Sequence, residues 1–418
     1  MTQIISLKYR CKLVCQNEGN RFVGLKIIEG EPFIYFPLGY QLPDADDEIQ
    51  SDIINLFNIL NEFSDKEKII PNQHFDKREK VKFPFNAYME IMRYYMENGY
   101  YIENDPVYKT RDKGKINWPR TIKNQRPLLQ ENDNGSYSPI YTSFTVRDST
   151  PNDNKEITRI HQHCVYESFD KLGWIFFNYV PLKPEGIINT SRSLIILRKK
   201  LSNTNNDSKK RLFLSMIEML EFMDVNTEKK DFFFGTETFE NVWEKLIDKA
   251  FGIEDKKKYF PKTEWHLLYG EDPNFKPLEP DTIMIYKDKI YVIDAKYYRY
   301  GDTGIRSHLP PTASISKQIT YGEYVKEKEG KDPFNAFLMP YNMKDNPFRL
   351  NGEFATIGEA ISKWKSNDNK YEHIQGILVD TRFLMHNYEN KEDNIIKLAE
   401  AIKDSCKKNK HISKHINI

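Results

Sequence analysis

Apolar and polar positions alternate through RFVGLKIIEGEPFIYFPLGYQL (residues 21–42). A period of two, punctuated by Gly and Pro, predicts short strands and a β-rich start to the chain. The period then lengthens. In DDEIQSDIINLFNILNEF (46–63) and PFNAYMEIMRYYMENGYY (84–101) apolar residues return every three or four positions, Ala87, Ile91, Tyr94 and Tyr95 among them. This spacing predicts packed helices. From 103 to 155 the pattern lapses into Asn, Asp, Lys and Pro, which predicts loops. Helices are expected from about 154 to 169 and from about 191 past Lys200. NTNNDSKK (203–210) is a surface loop or linker by composition, and RLFLSMIEMLEFM (211–223) is a further helix. The chain shows no internal repeat.

The second half has a different rhythm. Helix TFENVWEKLIDKAFG (238–252) leads to a predicted strand, TEWHLLYG (263–270), and to two strands within PDTIMIYKDKIYVIDAKYY (280–298). A helix in ISKQITYGEYVKEK (315–328), strands AFLMPY (336–341) and IQGILVD (374–380), and helix NIIKLAEAIKDSC (394–406) follow. This order predicts an α/β fold of mixed α+β character, with a mixed central sheet flanked by helices. Two domains are expected: residues 1–225, β-rich and then helical, and residues 226–418.

Composition removes several function classes. Lys+Arg of 62 against Asp+Glu of 61 leaves a net charge of +1, so any nucleic-acid site must be local rather than a global basic field. No apolar run reaches the roughly 18 residues of a membrane span, and the start lacks a signal-peptide pattern, so a soluble, cytoplasmic protein is expected. Cys11, Cys15, Cys164 and Cys406 are too few and scattered for a disulfide framework and read as reduced thiols, Cys11 and Cys15 as strand residues. His161-Gln162-His163-Cys164 invites a zinc reading, but i, i+2 histidines do not face each other on a helix and no second pair stands at zinc-finger spacing. His266 reads as a core or surface histidine. GKINWPRTIKNQRP (114–127) offers Lys115, Trp118, Arg120 and Lys123, a set suited to phosphates and bases, to a protein partner, or to a solvated loop.

The strongest chemistry lies in 280–298. A two-residue turn at Lys287-Asp288 sets Tyr286 against Lys289, Ile285 against Ile290, and Asp281 against Asp294. Directly opposed residues have β-carbons about 5 Å apart, and like charges there destabilise a sheet unless a counter-charge intervenes. A divalent cation supplies one. Lys296, two residues past Asp294, shares that face, whereas Ala295 points the other way. A one-residue slip would put the acids on opposite faces. Oxygen ligands, Mg²⁺ or Mn²⁺ and a neighbouring lysine suit phosphodiester hydrolysis. A lone D-x-K is more often a solvated face, but acids at the end of an apolar hairpin need a reason.

The pattern of Pro280-Asp281, twelve residues, then Asp294-x-Lys296 resembles the PD-(D/E)xK nuclease superfamily. The resemblance implies that Asp281 and Asp294 hold metal and that Lys296 attends the attacking water. It further implies a helix glutamate as a third metal ligand, Glu240 with Glu244 as the alternative, and a Gln and Tyr near the site, matched by Gln318 and Tyr321. The whole chain, through PFNAYMEIMRYYMENGYY, GKINWPRTIK and ETFENVWEKLIDKAFG, resembles the LlaJI family of restriction endonuclease subunits, related to the McrC nuclease of McrBC-type systems. That implies cleavage of double-stranded DNA with an McrB-like AAA+ GTPase partner, which the N-terminal region would engage. The chain has no G-x-x-x-x-G-K-[ST] phosphate loop, so no nucleotide is expected on it. A stand-alone type II enzyme and a non-catalytic DNA-binding or assembly subunit are the competing readings.

Overall fold

The alternating residues near the start fold as strands. The computed structural model describes residues 7–14, 21–28, 31–63, 83–177, 179–186, 188–225, 232–269 and 276–416. Cys15 therefore lies outside the described residues. Strands β1 (Cys11–Leu13), β2 (Val23–Ile28) and β3 (Glu31–Phe36) precede helix α1 (Asp46–Phe63). The helix buries Ile49, Ile53, Leu56, Phe57 and Leu60, one stripe at the expected spacing.

The next elements, within Phe83–Lys229, form a unit of their own. They are helix α2 (Phe85–Asn98), strand β4 (Glu103–Arg111), helix α3 (Trp118–Asn124) and strands β5 (Leu128–Glu131), β6 (Tyr137–Ile140) and β7 (Phe144–Asn152). Helix α4 (Glu156–Ser168) then runs through a π turn at Phe169–Gly173 into the short α5 (Trp174–Phe176), followed by α6 (Thr190–Ser202) and α7 (Asp207–Val225). The loops expected over 103–155 are thus corrected: β4 pairs antiparallel with β7, and β5 with β6. Most residues of these ribbons are solvated on both faces, so the period-two signal is absent. His161 is a core residue of this unit, fully buried, its Nδ1 accepting the Tyr101 N–H at 2.8 Å. Burial lowers its pKa to about 3, and Cys164 is buried as well.

The second unit joins residues 1–82 to residues 230–418. Its later elements are β8 (Phe232–Thr236), α8 (Phe239–Phe251), β9 (Thr282–Tyr286), β10 (Lys289–Ala295), α9 (Tyr300–Thr303), α10 (Thr312–Glu329), β11 (Phe334–Tyr341), β12 (Phe354–Ala360), β13 (Ile374–Asp380), α11 (Thr381–Asn387) and α12 (Lys391–Ile416). Residues 263–269, expected as a strand, are irregular; Trp265, Leu268 and Tyr269 are exposed, so no sheet takes up their apolar side chains. Gly270 lies outside the described residues. One sheet has the order β1-β3-β2-β8, the other β12-β13-β11-β10-β9. In the second, β10, β11 and β13 run parallel while β9 and β12 are antiparallel edges. The expected mixed α/β fold is what forms. The expected boundary near 225 differs at the other end of the chain. β2 pairs antiparallel with both β3 and β8, so backbone bonding ties the first strands to residues 232–236. No helix among the described residues is long and apolar enough to cross a membrane.

Candidate active site

The β9–β10 hairpin closes on Lys287 and Asp288, whose φ angles are 47° and 58°. Positive φ at both central residues is the signature of a type I′ turn, whose twist matches that of the strands it joins. Its ladder pairs Tyr286 with Lys289, Ile285 with Ile290, Tyr291 with Met284, Val292 with Ile283 and Ile293 with Thr282. The next pair in this register is Asp294 and Asp281. Pro280 has no N–H, so the ladder ends there. In its place the Asp281 carboxylate accepts the backbone N–H of Ala295 at 2.9 Å.

Asp294 is 3 % exposed, and Lys296 Nζ lies 2.5 Å from its Oδ2. The Asp281 and Asp294 carboxyls share a hydrogen bond, and burial followed by the Asp294 charge pushes the Asp281 pKa well above the ordinary carboxylate range. Glu244 pushes the same way and Lys296 opposes it. Near neutral pH the pair therefore keeps one proton between its carboxyls, beside the Lys296 ammonium. Among the described residues no group of three or more His, Cys, Asp or Glu stands close enough to enclose a metal ion. The donor set is a carboxylate pair, which fits Mg²⁺: that ion keeps several waters and takes one or two carboxylates plus substrate phosphate.

Helix α8 presents its apolar face through Val242, Trp243, Leu246 and Ile247, all essentially buried. Trp243 Nε1 donates to the Leu338 carbonyl of β11 at 3.4 Å, and Leu338 O also accepts the Lys296 N–H at 2.8 Å. That packing sets the helix phase. Of the two glutamates, Glu244 is the one whose charge bears on Asp281. Its own pKa is raised by burial and by Asp294 and Glu240, against Lys296 and Lys317. Glu240, one turn earlier, stands beside Glu244 and Tyr297.

Helix α10 braces both acid-bearing strands. Gln318, 1 % exposed, donates from Nε2 to the Val292 carbonyl of β10 at 2.8 Å. The Tyr321 hydroxyl donates to the Glu279 carbonyl at 2.9 Å, two residues before Asp281. One turn before Tyr321 stands Lys317, its Nζ 5.4 Å from the Tyr321 ring centre. Sequence reasoning missed it, although i, i+4 spacing from Tyr321 puts it on the same helix face.

The remaining candidates lie elsewhere. In Phe83–Lys229, Asn117 caps α3 through the Arg120 N–H, Trp118 is half-exposed, and the Arg120 guanidinium stacks 3.7 Å from the Tyr108 ring centre. Lys115 and Lys123 are exposed. His266 is a surface residue 3.1 Å from Glu264.

No curated protein matches the chain. One solved structure that it matches over 90 % of this chain and 83 % of that one, at 14 % identity and a TM-score of 0.36, is described as the refined half-complex from a tetradecameric assembly of Thermococcus gammatolerans McrB AAA+ hexamers with bound McrC. The sequence model of the LlaJI restriction endonuclease family matches residues 22–358 of the 418. The chain belongs to the LlaJI restriction endonuclease family.

Proposed function

We propose that this chain is the metal-dependent nuclease subunit of a restriction system and hydrolyses the phosphodiester backbone of double-stranded DNA. The observation that carries the reading is the register of β9 and β10, which continues to Asp281 opposite Asp294 with Lys296 beside them. The PD-(D/E)xK resemblance and family membership agree with it. Asp281 and Asp294 would hold Mg²⁺, or Mn²⁺, together with Glu240 or Glu244 of α8. A bound divalent ion lowers the pKa of its water and offsets charge on the phosphate. Asp281 would have to give up its proton to serve as a ligand, because a ligating carboxylate must be ionised. Lys296 exchanges its ion pair with Asp294 for the attacking water and orients it. Gln318 and Tyr321 act through backbone carbonyls and hold the two strands in register.

Activation by an McrB-like AAA+ GTPase completes the reading. The chain has no phosphate loop of its own, and the exposed Lys115, Trp118, Arg120 and Lys123 provide a face for that partner or for DNA. The test is plasmid cleavage by the purified chain in Mg²⁺, alone and with such a GTPase plus GTP. Asp294→Ala is expected to lower the rate by more than about 100-fold, since even residues behind a metal ligand cost that much. Undiminished cleavage by this variant would refute the site. Cleavage at a defined sequence without partner or GTP would instead identify a stand-alone enzyme.

A further inference from the structure

Lys317 is exposed on α10, yet it sits on the turn that clamps both acid-bearing strands. Gln318 beside it bonds β10 two residues before Asp294, and Tyr321 one turn on bonds the backbone two residues before Asp281. The Lys317 ammonium bonds the Tyr321 hydroxyl and, among the described residues, forms no ion pair with any carboxylate. Lys296, by contrast, is already paired with Asp294. The two lysines therefore approach the acids from different elements, one from the strand and one from the helix, and among the described residues the helix lysine has no carboxylate partner. Burial works against its charge, but the Tyr321 bond and the carboxylates of Asp294 and Asp281 hold its pKa above the ordinary lysine range. It is charged throughout the neutral range.

We propose that Lys317 is a phosphate-binding residue of the nuclease site, contacting a non-bridging oxygen of the scissile or adjacent phosphate from the α10 side. An ammonium on a flexible stem is a point-charge phosphate ligand. An exposed head group with no carboxylate partner gives up little on meeting DNA. The inference rests on the nuclease reading above, and goes beyond it by adding a residue outside the D-x-K strand.

The experiment compares full-length wild type, Lys317→Ala, Lys317→Arg and Asp294→Ala. Binding to a labelled DNA duplex in Ca²⁺ is measured across a salt series, and plasmid cleavage under each condition given above. One lost phosphate contact reduces the slope of log affinity against log salt by about 0.9. The expected result is that reduction for Lys317→Ala, with cleavage slowed about 10- to 100-fold, and recovery of both in Lys317→Arg, which keeps the charge. A merely structural lysine would not move the salt slope. If Lys317→Ala matches wild type in slope and rate while Asp294→Ala is inactive, the assignment is wrong and the nuclease reading stands. If Asp294→Ala cleaves like wild type, or wild type never cleaves, the nuclease reading falls and this one with it.

Discussion

Lys287 and Asp288 hold positive φ without being glycine or asparagine, an arrangement that costs stability for most L residues. The register they fix is what sets Asp281 against Asp294, so the strain lies at the position that aligns the acids. Replacing the pair by the favoured Asn-Gly should raise stability by about 0.5–1 kcal/mol, measured by urea denaturation; a decrease would show that the native side chains contribute something beyond the turn. The acids were legible in the sequence because a strand has a strict period of two and a two-residue turn leaves one register. The choice between Glu240 and Glu244 was not, and Lys317 was missed altogether, since the phase of a helix depends on what it packs against. The burial of Trp243 turns Glu244 toward the acids, and the burial of Gln318 and Tyr321 leaves Lys317 on the rim. The groups those residues pack against, the carbonyls of Leu338, Val292 and Glu279, lie far off in sequence.

At the scale of elements, α10 lies close against its neighbours because Gly322 has no side chain. A β-carbon there would come 2.5 Å from Tyr371 Cβ and 2.7 Å from Asn335 Nδ2. Asn335 is itself fully buried and bonds the carbonyls of Gln318 and Tyr371. Gly322→Ala should therefore destabilise the protein by about 1–3 kcal/mol in denaturant titration, as overpacking does. It should also displace Gln318 and slow cleavage; a neutral result would mean the helix can slide. The edge strand β12 is pinned differently. His373 Nδ1 lies 3.2 Å from Glu359 Oε2, and its Nε2 lies 2.9 Å from the Asn367 carbonyl. With both ring nitrogens facing acceptors, the Glu359 bond raises the His373 pKa above 6.5, and the same bond lowers that of Glu359 below 4.5. The raised histidine contributes stability that is full below pH 6.5 and lost as pH climbs through its folded value. The lowered glutamate contributes above pH 4.5 and loses that contribution as pH falls. Discounted for partial exposure the pair is worth about 0.5–1 kcal/mol, and Glu359→Gln should flatten the stability profile on both sides of that window. The longer helices and the strands β9, β10, β11 and β13 were readable from apolar pattern, whereas α3, α11, β8 and β12 were not. The ribbons of 103–155 were not, because water on both faces erases the alternation, and 263–269 misled because apolar content without a pairing strand does not make a sheet.

At the scale of the whole molecule, the residues that bear the acids do not form a unit with the rest of the C-terminal half alone. The first sixty-odd residues belong with them. The Leu38 N–H donates to the Tyr297 hydroxyl at 2.6 Å, one residue past Lys296, and Thr381 donates to the Leu38 carbonyl at 3.0 Å. A β-carbon on Gly39, where φ is +69°, would come 2.8 Å from the Tyr341 backbone. Asp52 of α1 is fully buried, bonded at 2.9 Å by Arg382 and 2.7 Å by His386 of α11. Arg382→Ala leaves the buried Asp52 carboxylate to His386, and should cost about 1–3 kcal/mol. No sequence pattern announced this join, because strand pairing over two hundred residues leaves no local periodicity and the inserted Phe83–Lys229 hides it. Residues 230–418 alone would lose the strand that pairs with β8 and the acid that answers Arg382. They would also uncover Phe234, 5 % exposed in the whole chain. Such a fragment should be insoluble when expressed alone, although it carries every residue assigned to the nuclease site. Co-expression of residues 1–82 as a separate chain should restore a soluble complex with one cooperative melting transition, since β2–β8 pairing and the Asp52 cluster need proximity but not a covalent link. A soluble, cooperatively melting 230–418 would show instead that this part folds by itself and that the N-terminal strands are an accessory to it.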